Sequence, residues 1–254
     1  MKDETKVLGS ALPFYLEGSN GKAVLVIHGY NGYPGEMYEI ARRIHKEGYT
    51  VSVPRLPGHG TNAADFLKTG HEHWLGQVVN EYLNLQSRFE SVSVTGLSMG
   101  GVLSLLLAER FSPDKIILLA PAMSISNRTF YYTPFLKIFV KKMRRNWEPR
   151  STDDEDRIFM GREYWSYFFS SKLASLLKLI RKAERGLGDI ECPVYIILTE
   201  KDGWVSLKSG EMIEKGVASP VETVILKNSP HVIVQGPEKE TVFEHVCTWL
   251  NQEA

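Results

Sequence analysis

The 254-residue chain holds only two cysteines, Cys192 and Cys247. They lie 55 positions apart (247 − 192), which matches neither a disulfide-dense secreted scaffold nor a paired metal-ligand spacing. The pair reads as two reduced, buried thiols of a cytoplasmic protein. Charge of one sign is not in excess either, since 30 Lys and Arg balance 30 Asp and Glu. With a formal net charge of zero, nothing global points to nucleic acid or to a membrane surface. No stretch approaches the roughly 18 apolar residues of a membrane span. The opening Met-Lys-Asp-Glu-Thr-Lys leads into no apolar core, so no signal peptide is expected. Internal repeats and low-complexity segments are missing too. What remains is a chain with 43% hydrophobic residues, enough to bury a substantial core, of a length that α/β proteins often use for one domain.

The order of short apolar runs and amphipathic stretches carries the fold. Residues 11–18 read as a short leading strand at a sheet edge. Ala23–Ile27, Tyr49–Val53, Ser91–Val94, Lys115–Ala120, Pro193–Leu198 and Glu222–Leu226 read as strands, several of them continuous apolar runs expected of parallel strands covered on both faces. Helical spacing marks 36–47, 74–89, the stretch from Val102, 208–216 and 238–250. Strands alternating with helices predict an α/β fold, a mainly parallel sheet with helices on both faces and right-handed crossovers. The alternation breaks over 122–188, where no strand-like run stands out. The expected division is a core of residues 1–121 and 189–254 with a lid inserted at 122–188. Such a lid would lie over the strand C-terminal ends, where ligands sit in open α/β sheets.

The stretch Val94-Thr-Gly-Leu-Ser98-Met-Gly-Gly101 joins a strand to a helix through G-x-S-x-G. In that context the pentapeptide is the nucleophile elbow of an α/β-hydrolase fold, with Ser98 as nucleophile. Side chains at positions 96 and 100 would collide with the neighbouring strand and helix. As a bare motif it could also be a tight turn whose serine caps the helix.

A serine hydroxyl needs a base within hydrogen-bond reach and a third group that holds the base in the right tautomer. In this fold the chain order is Ser, acid, His. His231 is the histidine that follows a late strand, whereas His245 lies inside the last helix and the others precede Ser98. The acid is expected at Asp202, in the loop after the strand ending at Leu198, with Glu200 as its competitor. The oxyanion of the addition intermediate calls for backbone N–H donors, one after the serine and one in the loop His28-Gly-Tyr-Asn-Gly32. These would be Met99 and Tyr30, with His28 fixing the loop.

Taken together, His28-Gly-Tyr-Asn-Gly, Pro54-Arg-Leu-Pro-Gly-His-Gly60, the elbow, the loop at Asp202 and Ser229-Pro-His-Val232 resemble the bacterial carboxylesterase and monoacylglycerol lipase family of α/β-hydrolases. The resemblance covers about 25–120 and 170–250. It implies a Ser98–Asp202–His231 triad that hydrolyses a small-molecule ester through an acyl-enzyme, and a lid at the insertion. Monoacylglycerol lipases use polar or acidic lid residues for the glycerol end, whereas the corresponding stretch here reads Phe168-Phe-Ser-Ser171. Phe168 and Phe169, with Trp204 of the acid loop, are therefore expected to bind substrate in an apolar pocket. That favours a carboxylesterase for short- to medium-chain acyl esters over a monoacylglycerol lipase, a thioesterase or an acyltransferase. A binding protein on the same scaffold is the alternative outside enzymes.

The insertion's aromatics could line an acyl tunnel or simply pack the lid on the core. Lys137, Lys141, Lys142, Arg144 and Arg145, interleaved with Phe135, Ile138 and Phe139, admit two readings. They could form an interfacial helix that touches anionic lipid, or a solvated basic face opposite Asp153–Asp156. No His, Asp or Cys cluster has metal-ligand spacing, and the Gly-rich loops lack the P-loop lysine and the dinucleotide pattern, so no metal or cofactor is expected.

Overall fold

The computed structural model describes residues 6–149, 151 and 153–252. A short edge strand, β1 (Phe14–Leu16), precedes β2 (Lys22–Ile27), a 3-10 turn (Pro34–Met37) and helix α1 (Tyr38–Lys46). Then come β3 (Thr50–Val53), α2 (Ala63–Lys68), α3 (His71–Gln86), β4 (Ser91–Leu97), α4 (Met99–Phe111) and β5 (Ile116–Leu119). The insertion carries α5 (Thr133–Phe139), β6 (Lys142–Arg144), α6 (Glu155–Met160), a π turn (Gly161–Trp165), β7 (Tyr167–Phe169) and α7 (Ser170–Gly186). The chain closes with β8 (Val194–Thr199), α8 (Lys208–Gly216), β9 (Val221–Leu226) and α9 (Lys239–Asn251).

Seven strands form one sheet in the order β1-β3-β2-β4-β5-β8-β9, parallel except for β1 against β3. Side chains of a strand alternate between faces, and both faces are apolar here. Val24 and Val26 of β2 pack with Ile40 and Ile44 of α1 and with Val242, Val246 and Trp249 of α9. Leu25 and Ile27 face the opposite layer, with Trp74 and Val78 of α3, Val102 and Leu105 of α4, and Leu176 and Ile180 of α7. Burial on both sides is why these strands read as unbroken apolar runs.

Two expectations need correction. The insertion does contain strands, because β6 and β7 pair antiparallel with Met143 opposite Phe168. At three residues each, they are too short to show alternation in the sequence. The basic stretch 135–145 is not one helix, since α5 ends at Phe139 and Val140 turns extended. Helix α2 was also missed, although Asn62 caps it by accepting the Asp65 N–H at 2.9 Å. Among the described residues no helix is long and apolar enough to cross a membrane.

Candidate active site

Ser98 stands between the end of β4 and the first residue of α4, with φ +56° and ψ −111°. That backbone region is sparsely populated by non-glycine residues and costs about 1–3 kcal/mol. The surroundings enforce it: the Ser98 N–H donates to Leu119 O at 2.8 Å, and its carbonyl accepts from Ala122 N–H at 3.2 Å. Gly96 and Gly100 are needed for space. A Cβ on Gly96 would overlap the Gly100 carbonyl, and one on Gly100 would overlap the Ile27 carbonyl at the end of β2. The strained turn thrusts the Ser98 side chain out at the C-terminal edge of the sheet, where 8% of the residue stays exposed.

Two further loops reach the same edge. The loop after β8 brings Asp202, and the loop after β9 brings His231. His231 Nδ1 lies 2.7 Å from Asp202 Oδ2, and Nε2 lies 2.9 Å from Ser98 Oγ. A carboxylate only accepts, so Nδ1 carries the hydrogen and Nε2 is left to accept the serine proton. Asp202 is itself held, because its Oδ1 accepts the N–H groups of Trp204 (2.7 Å) and Val205 (2.9 Å). Glu200 is exposed and donates its own N–H to Leu226 O, and among the described residues the carboxylate hydrogen-bonded to the imidazole is that of Asp202. The histidine loop is tied from below by Glu238, whose carboxylate accepts from Asn228 N–H, Ser229 N–H and the Ser229 hydroxyl at 2.7–2.8 Å. Sequence reading missed Glu238; it opens the last helix, where an acidic residue looks like an ordinary N-terminal charge.

The third loop follows β2. Ile27 pairs with Gly96 in the parallel register, so His28 to Gly32 run alongside the elbow. Gly29 is so close that a Cβ there would sit 3.4 Å from the Ser98 Cβ. Among the described residues no acceptor occupies the N–H of Tyr30 or of Met99. His28 braces this loop: its Nε2 accepts the Leu56 N–H at 3.2 Å, which leaves Nδ1–H to donate to Gly29 O at 3.0 Å. Burial holds the His28 imidazole down at about 4, neutral at physiological pH.

Ser98 and His231 open into a cleft of about 790 Å³ between the sheet edge and the insertion. Ala122, Ile125, Phe130, Leu173, Leu176 and Val205 give it an apolar wall. Phe168 and Trp204 line it and meet edge to face, 5.0 Å between ring centres. Phe169 does not reach it. Only 5% exposed, it packs on Phe66, with 6.2 Å between ring centres. The strand period explains the split, because consecutive residues of β7 point to opposite sides. The insertion is anchored across the cleft by Trp165, whose Nε1–H donates to Asn31 O at 2.7 Å.

Glu36 of the 3-10 turn also faces this cleft. Burial pushes its carboxyl up to about 7, against the opposing pull of Arg157 and then His231. The unfolded chain loses that proton near 4.5 and the folded chain near 7, so the native state binds more protons between those values and loses stability as pH rises. At about 1.4 kcal/mol per tenfold, ionised Glu36 destabilises the fold by up to about 3 kcal/mol. Glu36→Gln is therefore expected to leave stability near that of the parent at about pH 4 and to raise it by up to this amount at about pH 8. Denaturant unfolding at both pH values checks this, and a difference that does not change with pH contradicts it.

Fold and site together define an α/β-hydrolase with a serine at the elbow. Residues 24–242 match the alpha/beta hydrolase family. The chain is 31% identical to the thermostable monoacylglycerol lipase of Bacillus sp. (strain H-257), over the full length of both. It is 26% identical to the carboxylesterase of Bacillus subtilis (strain 168), over 94% of this chain and 96% of that one. A solved structure from work on the metagenome-derived lipolytic enzymes LipS and LipT superimposes with a TM-score of 0.87 at 28% identity, covering 98% of this chain and 100% of that one. The chain belongs to the alpha/beta hydrolase family.

Proposed function

We propose that the protein is a serine carboxylesterase that acts through an acyl-enzyme on short- to medium-chain esters. The observation that carries this reading is the unbroken relay from Asp202 through His231 to Ser98 at the mouth of a largely apolar cleft. His231 Nε2 takes the Ser98 proton as Oγ attacks the ester carbonyl. The developing oxyanion is met by the N–H groups of Tyr30 and Met99. The alcohol leaves with the proton from His231, and a water repeats the path to free the acid. No step calls for a metal or an organic cofactor. Residues 122–188 act as the lid, and Phe168, Trp204 and the apolar wall receive the acyl chain. The free, buried thiols of Cys192 and Cys247 support a reducing compartment, the cytoplasm.

Monoacylglycerol lipase is the second reading, supported by the relative from Bacillus sp. (strain H-257) and by the charged groups Asp153 and Arg157 in the cleft. Initial rates on nitrophenyl esters of increasing acyl length, with a monoacylglycerol alongside, separate the two. A peak at short to medium chains with little monoacylglycerol turnover supports the carboxylesterase. Preferred turnover of monoacylglycerol selects the lipase. A folded protein inert on all of them refutes both.

The lid's outer face supports a weak contact with anionic lipid. Phe135, Ile138 and Phe139 of α5 are 72%, 69% and 85% exposed, beside Lys137, Lys141 and Lys142. Co-sedimentation with anionic vesicles at low salt is expected, weakened by added salt and by Phe139→Ser. No binding at low salt disposes of the contact.

A further inference from the structure

Arg145 follows β6 and lines the cleft with Ser98 and His231. Its N–H donates to Ser166 O at 2.8 Å, which fixes its backbone against the turn before β7. The guanidinium carbon lies 5.0 Å from the Trp204 ring centre and 5.4 Å from that of Phe168. Stacking on rings uses the flat face of a guanidinium and leaves its five N–H donors free in the plane. Among the described residues none of these donors finds an acceptor, and no carboxylate pairs with them. Arg157, in the same cleft, shows the contrast: its Nε–H donates to Asp153 at 2.6 Å and its Nη1–H to the Tyr33 hydroxyl at 2.8 Å.

A second group nearby is also unsatisfied. Among the described residues the buried Tyr30 hydroxyl has no hydrogen-bond partner, and Arg145 is the charged group that acts on it. Burial lowers the pKa of Arg145, so its cation is already stripped of part of its water. A buried hydroxyl and a half-buried cation without acceptors are costly unless a ligand supplies them. Below about pH 7 the cleft's own carboxylates oppose an anion only weakly: Arg157 holds Asp153, burial keeps Glu36 largely protonated there, and Glu148 is exposed.

We propose that Arg145, backed by the Tyr30 hydroxyl, is a carboxylate-recognition subsite, so that the cleft takes esters bearing a second carboxylate, the half-esters of dicarboxylic acids. The planar fork of a guanidinium matches a carboxylate two bonds at a time. Phe168 and Trp204 hold that fork flat, and the substrate's methylenes lie along the apolar wall between it and Ser98. This rests on the ester-hydrolase reading for its chemistry but not for its binding. If Arg145 were only a clamp between the insertion and the loop of Trp204, its loss would affect neutral and anionic esters alike.

The test compares a nitrophenyl half-ester of a medium-chain dicarboxylic acid with the nitrophenyl ester of the monocarboxylic acid of equal length. The parent protein is expected to favour the half-ester in kcat/KM by about tenfold or more, as hydrogen bonds to charged groups supply. Arg145→Gln is expected to bring that ratio to about one, mainly through the KM of the half-ester, and Arg145→Lys to restore part of it. The ratio reads the subsite whatever happens to the rate common to both esters. A parent that prefers the neutral ester, or a ratio unmoved by Arg145→Gln, overturns the proposal. Calorimetry with the free dicarboxylate provides the second arm, with binding expected to weaken about tenfold in Arg145→Gln. If neither ester is hydrolysed, the ester-hydrolase reading fails and this binding alone decides the subsite, with affinity independent of Arg145 refuting it.

Discussion

Ser98→Ala should remove ester hydrolysis almost completely, lowering kcat by roughly 10⁶, the cost of deleting the nucleophile from a triad that acts as a unit. The residue has no other task that would confuse the result. Among the described residues its Oγ bonds only to His231 Nε2, while the strained turn is held through the backbone by Leu119 and Ala122. Alanine keeps the Cβ and those two hydrogen bonds. Unfolding free energy should therefore stay within about 0.5 kcal/mol of the parent. A substantial residual rate in a folded Ser98→Ala protein would mean that another group attacks the ester.

Asp202→Asn should lower kcat by about 10⁴ while leaving the fold intact. The reason can be traced atom by atom. Oδ1 of Asp202 accepts two backbone N–H groups, from Trp204 and Val205, and only a carbonyl oxygen can replace it there. The new NH₂ group must then face His231 Nδ1, where Oδ2 now stands 2.7 Å away. Facing a donor, Nδ1 becomes the acceptor and the ring hydrogen moves to Nε2, pointing at Ser98. The imidazole then cannot take the serine proton. Rates of the purified variant on a nitrophenyl ester check this, and a loss below tenfold would show that Asp202 does not control the tautomer.

The sheet was legible because each interior strand is covered on both faces. Val24 to Ile27 and Val194 to Leu198 are uninterrupted apolar runs for that reason alone, and helix α1 carries a clear one-sided stripe of Ile40, Ala41 and Ile44. The elbow was legible because packing around Ser98 leaves no room for a Cβ at positions 96 and 100, which writes glycine into the chain. Asp202 and His231 could be nominated because each follows a strand that the pattern had already placed. The insertion was far less readable. Its strands span three residues each, its π turn has no periodic signature, and α5 stops in the middle of a continuous run of aromatic and basic residues. Phe168 and Phe169 were indistinguishable until β7 gave them opposite faces. Glu36 and Arg145 look like surface charges in sequence, and only the path of the chain brings them to the cleft.

The most direct test is covalent labelling with a fluorophosphonate, followed by peptide mass spectrometry. A single adduct on Ser98 is expected, formed rapidly in the parent, slowed strongly in His231→Ala and lost in Ser98→Ala. Failure of the folded parent to label, or an adduct on a residue other than Ser98, would contradict the assignment of Ser98, His231 and Asp202 as one nucleophilic relay.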